Sequence, residues 1–528
     1  MSDLVHDFIF ASARRTPQAP ALAHGAQRLD YAALAQAVHG AALAFAPRLR
    51  APGERIAVFL EKRIENVAAL FGAAAAGAVF VPVNPLLKPE QVGHILRDCN
   101  VRILVTSQER LMALAPVLAS CPDLRAVLAT GAAGACALPP HIELAGWEAA
   151  LDAAAGAPAP AMARRIDADV AAILYTSGST GKPKGVVLSH RNLVAGARSV
   201  TEYLGISEHD RILSVLPLSF DYGLSQLTCA FLAGASVVLI NHLFARDIVA
   251  VVAAERITGL AAVPPLWSQL ARLPWPQGCT LRYLTNSGGA MPGATLAALR
   301  AALPEARVYL MYGLTEAFRS TYLPPSELDR RPDSIGRAIP NAEVMVVRPD
   351  GSACAPDEPG ELVHRGALVA LGYWNDPAKT AERFRPAPGQ DPALPLVEMA
   401  VWSGDTVRRD AEGFLYFVGR TDDLIKVSGY RISPTEVEEL AYASGLVEEA
   451  VAFGVPHPEL GQAVVLLAVA PAGSEAALLK ECQRRMPAYM VPQHLALRGD
   501  PFPRNPNGKI DRPALRAAFL ASMESKPA

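Results

Sequence analysis

Short apolar runs and longer amphipathic segments alternate over most of the first four hundred residues. The short runs suit buried strands, and the segments between them repeat apolar positions at helical spacing. Strands and helices that alternate in this way predict parallel sheets with helices on both faces. The predicted strands span residues 55–60, 79–81, 101–106, 212–216, 236–240, 259–263, 281–285 and 307–311.

The helical segments follow the same alternation. Helices are predicted for residues 65–76 and 91–98, and residues 3–49 are expected to be helical. Ser189 suits the N-cap of a further helix, whose apolar positions keep helical spacing. Residues 131–163 are rich in Ala, Gly and Pro, and we expect a connection made mostly of loops there.

The pattern changes near residue 420, after a proline-rich segment at 386–395 that predicts a loop. We therefore predict two domains, residues 1–420 and residues 421–528, the second a small α+β domain of ordinary size. Its predicted elements are a helix that begins at the capping box Ser433-Pro434-Thr435-Glu436, strands at 449–453 and 464–469, and a helix at 475–486.

Composition and charge exclude several classes of protein. The chain has 528 residues, 51% hydrophobic and 19% charged, so it can bury a large core. Its net charge is −2, and no nucleic-acid partner is expected. No apolar run reaches the roughly 20 residues that span a bilayer, and the N-terminus lacks the regions of a secretory signal. Seven cysteines without a Cys-x-x-Cys pair predict reduced thiols, a cytoplasmic location and no zinc site.

The most distinctive segment is 174–190, where a loop rich in Gly, Ser, Thr and Lys joins two apolar runs. Glycine lets the backbone approach an anion, and successive N–H groups, hydroxyls and lysines then surround phosphates. The segment is not a Walker A loop, because only two residues separate Gly178 from Gly181 and Pro183 follows Lys182. A flexible surface loop is the alternative, but eleven residues here follow one specific pattern.

Residues 175–185, Tyr-Thr-Ser-Gly-Ser-Thr-Gly-Lys-Pro-Lys-Gly, resemble the AMP-binding signature of the adenylate-forming superfamily. That superfamily includes acyl-CoA synthetases, adenylation domains of nonribosomal peptide synthetases and beetle luciferases. The resemblance implies an α/β fold with a large N-terminal region of several subdomains, parallel-type sheets, and a small mobile α+β lid. It also implies that the loop holds the leaving phosphates of ATP through Thr176, Ser177, Gly178, Ser179, Thr180, Gly181 and Lys184.

A second matching segment, Tyr-Gly-Leu-Thr-Glu at 312–316, follows a predicted strand. A carboxylate beside a hydroxyl suits a Mg²⁺ ion that also binds substrate phosphates. The resemblance implies that Thr315 contacts phosphate, Glu316 holds Mg²⁺ and Tyr312 stacks on adenine. A capped turn with Tyr312 in the core would explain the segment alone, but its order after the phosphate loop favours the nucleotide site.

Further motifs complete the implied nucleotide pocket. Small residues at a strand end allow a flat ring to approach closely. The resemblance implies that the segment Ser287, Gly288, Gly289 and Ala290 forms a wall of the adenine pocket. We also assign Ser287 to the substrate pocket. A tight turn explains these four equally well on sequence alone. The resemblance gives Asp405 the ribose hydroxyls, Arg420 the ribose or phosphate, and Asp422 the hinge between the two domains. A lone Asp or Arg is usually a solvated surface charge, but Asp405 and Arg420 occupy positions that match the superfamily's motifs.

Two residues of the small domain are assigned through the resemblance. Lys509 lies in Pro-Arg-Asn-Pro-Asn-Gly-Lys-Ile-Asp at 503–511, where Asn-Gly indicates a turn and composition alone allows a solvated lysine. The matching lysine of the superfamily bridges the substrate carboxylate and the α-phosphate. Gly429 would line a tunnel for a phosphopantetheine thiol.

The predicted acyl pocket contains an aspartate where many acyl-CoA synthetases carry histidine. The segment 219–221, Ser-Phe-Asp, is similar to amino-acid-activating domains, in which the matching aspartate pairs with the substrate ammonium. A buried carboxylate needs such a partner. Phe220 and Asp221 are therefore assigned to the pocket, with an N-cap role for Asp221 as the alternative. Arg319 is assigned there too, although a solvated or structurally paired arginine explains it as well.

The sequence thus predicts an ATP- and Mg²⁺-dependent ligase that activates a carboxylic acid, possibly an amino acid, as an acyl adenylate. Coenzyme A is the first expected acceptor, and the phosphopantetheine of a discrete carrier protein is the alternative. A luciferase-like oxygenase and an inactive nucleotide-binding protein are rivals. Nothing in the sequence favours the oxygenase, and Lys509, Glu316 and the loop lysines argue against the inactive protein.

Overall fold

The computed structural model describes residues 3–131, 136–155, 164–176, 183–420, 425–427, 430–457, 460–486, 488, 490–506 and 508–524. Among the helices of these segments, none combines the length and apolar character that a membrane crossing requires. The assigned residues that lie outside the described part are Ser177, Gly178, Ser179, Thr180, Gly181, Asp422 and Gly429.

Helices cover the sheets, and one of them begins at an assigned residue, Asp221. Within the described segments they are α1 (Asp7–Arg15), α2 (Tyr31–Phe45), α3 (Ile64–Ala75), α4 (Pro89–Asp98), α5 (Gln108–Leu118), α6 (Trp147–Ala155), α7 (His190–Leu204), α8 (Asp221–Ala233), α9 (Ala245–Ala254), α10 (Pro264–Leu270), α11 (Gly293–Ala302), α12 (Pro377–Arg383), α13 (Pro434–Tyr442), α14 (Glu475–Arg485) and α15 (Arg512–Glu524).

The strands form three sheets. In chain order they are β1 (Pro20–His24), β2 (Gln27–Asp30), β3 (Arg55–Phe59), β4 (Val79–Pro82), β5 (Val101–Ser107), β6 (Ala126–Thr130), β7 (Glu143–Gly146), β8 (Val170–Thr176), β9 (Lys184–Ser189), β10 (Arg211–Ser214), β11 (Ser236–Leu239), β12 (Gly259–Ala262), β13 (Tyr283–Asn286), β14 (Arg307–Leu314), β15 (Ala317–Leu323), β16 (Ser334–Ala338), β17 (Ala342–Val347), β18 (Gly360–Gly366), β19 (Gly372–Tyr373), β20 (Phe384–Pro386), β21 (Met399–Arg409), β22 (Leu415–Arg420), β23 (Ile425–Val427), β24 (Tyr430–Ile432), β25 (Glu449–His457), β26 (Gly461–Val469) and β27 (His494–Arg498).

The largest sheet is parallel in its middle and antiparallel toward one edge. Its order is β17-β18-β21-β22-β16-β15-β14-β13-β12-β10-β11-β1-β2, with β20 beside β21. The neighbours from β14 to β1 run parallel. The second sheet has the order β19-β9-β8-β4-β3-β5-β6-β7 and runs parallel from β8 to β7. Strands such as β12 and β13 are buried along their whole length, as expected for parallel strands covered by helices. The predicted α/β fold is confirmed.

The third sheet belongs to the small C-terminal part and has the order β24-β23-β26-β25, with β27 beside β26. Side chains alternate along β26. Val464 and Leu466 join a core with helices α13 and α14, whereas Val465 joins a second core with Phe502 and Leu515. Alternation on a strand sends successive side chains to opposite faces, so this sheet has apolar cover on both sides.

Two expectations for local structure were wrong. Residues 3–49 are not helical throughout, because a hairpin of β1 and β2 separates α1 from α2 and β1 extends the large sheet beside β11. Gly25 has a φ of +57° at the turn, which glycine adopts readily. Within the described residues 136–155 of the segment 131–163, β7 and α6 stand where loops were expected, because tertiary packing overrides a composition that favours loops.

The predicted caps are confirmed. Ser189 accepts a hydrogen bond from the Asn192 N–H at 3.2 Å, and α7 begins at the next residue. Ser433 likewise accepts from the Glu436 N–H at 3.4 Å, with Pro434 at the first position of α13. The side chains that follow β10, β13 and β14 emerge at the carboxyl edge of the parallel strands, where ligands usually bind in such sheets.

Candidate functional site

Tyr312, near the end of β14, meets Asp405 in the middle of β21 and Arg420, the last residue of β22. The Tyr312 hydroxyl donates a short hydrogen bond to Asp405 Oδ2. The Arg420 Nε lies 3.4 Å from Asp405 Oδ1, and the two residues face each other across the β21–β22 ladder. Burial raises the pKa of Asp405, while Arg420 and the tyrosine hydroxyl oppose the shift. The arrangement is a buried carboxylate held in a fixed orientation, able to accept hydrogen bonds from a hydroxylated ligand.

Aromatic residues that the sequence did not single out support Tyr312. The ring of His364 lies almost parallel to it, with centroids 6.0 Å apart, and the Phe417 centroid lies at 6.3 Å. Burial lowers the pKa of His364 to about 3, so the ring is neutral at physiological pH. A lone His on a strand, between Val363 and Arg365, gives no sequence signal for this role.

A second cluster surrounds Glu316. The Tyr373 hydroxyl donates to Glu316 Oε1 at 2.6 Å, and the Lys184 ammonium lies 5.4 Å from the centre of the Tyr373 ring. Burial lowers the pKa of Lys184, and the positive charges of Lys379 and Arg383 add to that effect. The cluster thus combines one oriented carboxylate with several cations, a set that suits a Mg²⁺ ion together with phosphates.

The stem of the predicted phosphate loop reaches the same cluster. Thr176 and Lys184 are the last pair of the β8–β9 hairpin before the loop. At the base of this stem the Tyr175 hydroxyl donates to Asp98 Oδ2 at 2.5 Å. Thr315 is buried beside Glu316. Among the described residues no three His, Cys, Asp or Glu side chains gather as a metal cage, so a metal at Glu316 would need ligands from a substrate.

Lys509 reaches the large domain from the C-terminal part. Its turn is held by a hydrogen bond from the Lys509 N–H to Asn505 Oδ1 at 3.1 Å, and the Asn84 amide donates to the Pro506 carbonyl at 2.6 Å across the two parts. The ammonium lies 5.9 Å from the centre of the Phe220 ring. Burial lowers the pKa of Lys509; Asp221 and Asp405 oppose the shift.

The backbone at Ser287–Ala290 explains why a glycine stands in this segment. Gly288 has a φ of +85°, and a Cβ there would lie 3.2 Å from Lys509 Cε. The Asn286 amide donates to the Gly289 carbonyl at 3.0 Å and fixes the turn. Ser287 is buried at the end of β13. A side chain at position 288 would therefore crowd Lys509.

The first turn of α8 forms the predicted acyl pocket. Phe220 is the N-cap residue, so Asp221 is the first helical residue and not the cap. Asp221 is 4% exposed and Arg319 is 3% exposed, and their nearest charged atoms, Asp221 Oδ2 and Arg319 Nη2, are 4.0 Å apart. The alternative that Arg319 is a solvated surface residue is therefore wrong, because Arg319 is buried beside Asp221.

The structure thus brings together most assigned residues that it describes. Tyr312, Asp405 and Arg420 form one cluster, Lys184 and Glu316 form another, and Lys509 lies against the acyl pocket. Sequence reasoning missed the partners of these residues, which are Asn84, His364, Tyr373, Lys379 and Arg383. Most of them lie in or beside short strands and a helix of seven residues, where no pattern separates them from ordinary packing or surface positions.

Comparison with known proteins agrees with this geometry. The family model described as AMP-binding enzyme matches residues 9–374, and the AMP-binding enzyme C-terminal domain matches residues 436–509. Phenyloxazoline synthase MbtB of Mycobacterium sp. (strain MCS) is 31% identical over 99% of this chain, which spans only 43% of that protein. The chain likewise spans only 6% and 10% of subunits C and D of linear gramicidin synthase of Brevibacillus parabrevis, which it also matches.

Two further relatives match over their whole length. The L-proline–[L-prolyl-carrier protein] ligase of Pseudomonas fluorescens is 31% identical over 97% of this chain and 98% of its own. ATP-bound MatB from Rhodopseudomonas palustris has a TM-score of 0.85 and 26% identity, covering 98% of this chain and 99% of that one. With two matching models over most of its length and the clusters described above, the chain belongs to the family of AMP-binding, adenylate-forming enzymes.

Proposed function

We propose that this protein is an ATP-dependent, AMP-forming acid–thiol ligase. The observation that carries the proposal is the position of Lys509, which enters the large domain from the C-terminal part and lies beside Gly288 and Phe220. A buried ammonium at the meeting point of an acyl pocket and a nucleotide pocket can stabilise negative charge on reacting oxygens. ATP as the nucleotide is supported by the ATP-bound relative.

The first half-reaction joins the acid to AMP. A carboxylate oxygen of the substrate attacks the α-phosphorus of ATP, and the bond from that phosphorus to the oxygen bridging the β-phosphorus breaks. Pyrophosphate leaves with both electrons of that bond. Glu316 would hold the Mg²⁺ ion that supplies charge neutralisation, and Lys184, with the loop that begins after Thr176, would hold the leaving phosphates. Lys509 would contact the carboxylate and the α-phosphate.

The nucleotide itself would be held by the Tyr312 cluster. Asp405 would accept hydrogen bonds from the ribose hydroxyls, Arg420 would contact ribose or phosphate, and Tyr312 would stack on adenine. Gly288, Gly289 and Ala290 would form the opposite wall. Thr315 would contact phosphate beside the metal.

The second half-reaction transfers the acyl group to a thiol. The sulfur forms a bond to the acyl carbon, the bond from that carbon to the AMP oxygen breaks, and the thiol proton passes to solvent. Coenzyme A is the acceptor of the main proposal, and a carrier-protein phosphopantetheine is favoured by the prolyl-carrier protein ligase among the relatives. Asp422 as hinge between domains 1–420 and 421–528, Gly429 in the thiol tunnel and a cytoplasmic location remain predictions.

The substrate is proposed to be an amino acid. Asp221 is a buried carboxylate at the acyl end of the site, and its ion pair within the described residues is a distant one, at 4.0 Å from Arg319. A substrate ammonium would give it a hydrogen-bonded partner, which a buried charge requires. One relative with 31% identity is named as a ligase of an amino acid, L-proline, which supports this proposal.

Exchange of radioactive pyrophosphate into ATP tests the adenylation step directly. We expect exchange to depend on an added amino acid and on Mg²⁺, and mass spectrometry to detect the aminoacyl adenylate. Thioester formation is then measured with coenzyme A and, separately, with a phosphopantetheinylated carrier protein. Absence of exchange across amino, aryl and fatty acids would overturn the proposal.

Tyr373→Phe is expected to weaken Mg²⁺ binding. The Tyr373 hydroxyl orients Glu316, and loss of such an outer-shell partner lowers metal affinity by about tenfold. The Mg²⁺ concentration for half-maximal exchange should rise by that factor, while the rate at saturating Mg²⁺ changes little. Tyr416→Phe is the matched control, because its hydroxyl also donates to a carboxylate, Asp410, at 3.2 Å. An unchanged Mg²⁺ dependence in Tyr373→Phe would contradict the role.

Tyr312→Phe is expected to weaken ATP binding. The variant keeps the ring but leaves Asp405 Oδ2 without its donor, so the carboxylate is free to turn away from the ribose. Loss of a hydrogen bond to a charged group predicts a KM for ATP raised by about tenfold. The preference for ATP over 2′-deoxy-ATP should shrink as well. If Tyr312→Phe had the KM for ATP and the preference over 2′-deoxy-ATP of the natural protein, the proposal that the Tyr312 hydroxyl orients Asp405 toward the ribose would be wrong.

A further inference from the structure

Arg319 is held in an unusual backbone conformation inside the acyl pocket. Its φ is +75°, a region that residues other than glycine seldom adopt, and its side chain is 3% exposed. Gly313 makes room for this backbone, since a Cβ at position 313 would lie 3.1 Å from the Arg319 Cα. Such strain persists where the surrounding structure enforces it, and it is concentrated at ligand sites.

The contacts of Arg319 leave its guanidinium incompletely paired. Nη2 donates to the Ser225 hydroxyl at 3.3 Å, and the guanidinium carbon lies 4.4 Å from the centre of the Tyr222 ring. Asp221, at 4.0 Å, is too far for a hydrogen bond. The Nε is buried and has no hydrogen-bond partner among the described residues. A buried guanidinium with an unpaired Nε is suited to a carboxylate, which it can bind through two parallel hydrogen bonds.

The charges of the pocket indicate what the partner is. The proposed function, on which this inference rests, gives Lys509 the reacting carboxylate and Asp221 the ammonium of an amino acid. Arg319 then remains as a buried positive charge whose nearest carboxylate, that of Asp221 at 4.0 Å, forms no hydrogen bond with it. We propose that the substrate is an acidic amino acid, such as aspartate or glutamate, whose side-chain carboxylate binds Arg319. The substrate would carry a net charge of −1 into a pocket whose three charged side chains sum to +1.

The alternative is that Asp221 and Arg319 neutralise each other and the pocket accepts an acid without an amino group. The separation of 4.0 Å and the unpaired Nε argue against it, because a buried pair is stable only with close hydrogen bonds. The Ser219 hydroxyl, two residues before Asp221, is also buried and has no hydrogen-bond partner in the part of the chain that the structure describes. A hydrocarbon substrate would leave these polar atoms unsatisfied.

Pyrophosphate exchange with matched substrates tests the inference on the natural protein. Aspartate and glutamate are compared with asparagine, glutamine and 2-aminobutyrate, and with succinate and glutarate, which lack the amino group. We expect kcat/KM for one of the two acidic amino acids to exceed that for its amide by ~10²-fold, since a site built to pair a substrate charge rejects the neutral isostere strongly. Succinate and glutarate should be poor substrates.

Variants then assign the preference to Arg319. Arg319→Gln should lower kcat/KM for the preferred acidic amino acid by ~10²-fold and change that for the amide much less. Arg300→Gln, which removes a surface pair with Asp329, is the matched control and should leave both values unchanged.

The outcomes separate the two proposals. Preference for neutral amino acids, or for acids without an amino group, would overturn the acidic side chain while adenylation stands. Absence of exchange with every acid would overturn the proposed function itself. The comparison of acid with amide in the natural protein decides the matter even if Arg319→Gln fails to fold.

Discussion

Lys509→Ala is expected to lower the rate of adenylate formation by ~10²-fold or more, a typical loss for one preorganised charge contact at a reacting centre. Lys509 is the charged side chain of the C-terminal part that lies against Phe220 and Gly288, and burial already lowers its pKa in the absence of substrate. Negative charge develops on the carboxylate and phosphate oxygens during attack, and the ammonium would stabilise it there. ATP–pyrophosphate exchange under saturating ATP measures this step.

The two half-reactions separate the role of Lys509 from a general structural role. Thioester formation from chemically prepared aminoacyl adenylate should be much less affected, because the α-phosphate bond has already formed. Lys480→Ala removes an exposed lysine from α14 in the same part of the chain and is the matched control. If Lys509→Ala slowed both half-reactions equally, the proposed division between them would be wrong.

The sequence predicted the sheets well because their strands carry strong local signals. Buried parallel strands read as apolar runs, and β12 and β13 lie where such runs were found. Local capping chemistry likewise identified Ser189 and Ser433. The hairpin of β1 and β2 was missed because its strands are short and its second strand is polar, so pairing with β11 decides their conformation.

The site was predicted residue by residue but not as a set of contacts. Motifs identified Tyr312 and Asp405, which are separated by 93 residues, yet only the fold makes one the hydrogen-bond donor of the other. Tyr373 had no signal at all, since an isolated tyrosine after a glycine looks like packing until Glu316 is seen beside it. Long-range pairs of this kind depend on tertiary structure and not on spacing.

In the acyl pocket too, the sequence identified residues but could not decide how they contact each other. The sequence left open whether Asp221 was a helix cap and whether Arg319 was solvated or structurally paired. The position of Phe220 as N-cap removes the cap, and the burial of Arg319 removes the solvated arginine. What remains is a pair of buried opposite charges too far apart for a hydrogen bond, which a substrate with charges of its own can complete.

Asp221→Asn is expected to lower kcat/KM for amino acids by ~10²-fold or more, because removing one member of a buried ion pair costs about 3–5 kcal/mol. The amide keeps the shape of the carboxylate, so packing around α8 is preserved. The kcat/KM for the same acids without the amino group should fall far less. Pyrophosphate exchange measures both decreases, and their ratio is the quantity to compare. Asp247→Asn changes an aspartate in the first turn of α9 and controls for the effect of charge at a helix N-terminus.

The ratio also separates a substrate contact from an internal one. If Asp221 served only to neutralise Arg319, Asp221→Asn would leave a buried guanidinium without its counterion, and every acid would be activated more slowly by a similar factor. Thermal unfolding would then show a loss of stability that substrate does not restore. The alternative result is a loss of activity that is selective for amino acids, together with a smaller stabilisation of the variant than of the natural protein by an added amino acid. That result requires that the ammonium of the substrate binds Asp221, since only that contact distinguishes the two sets of acids.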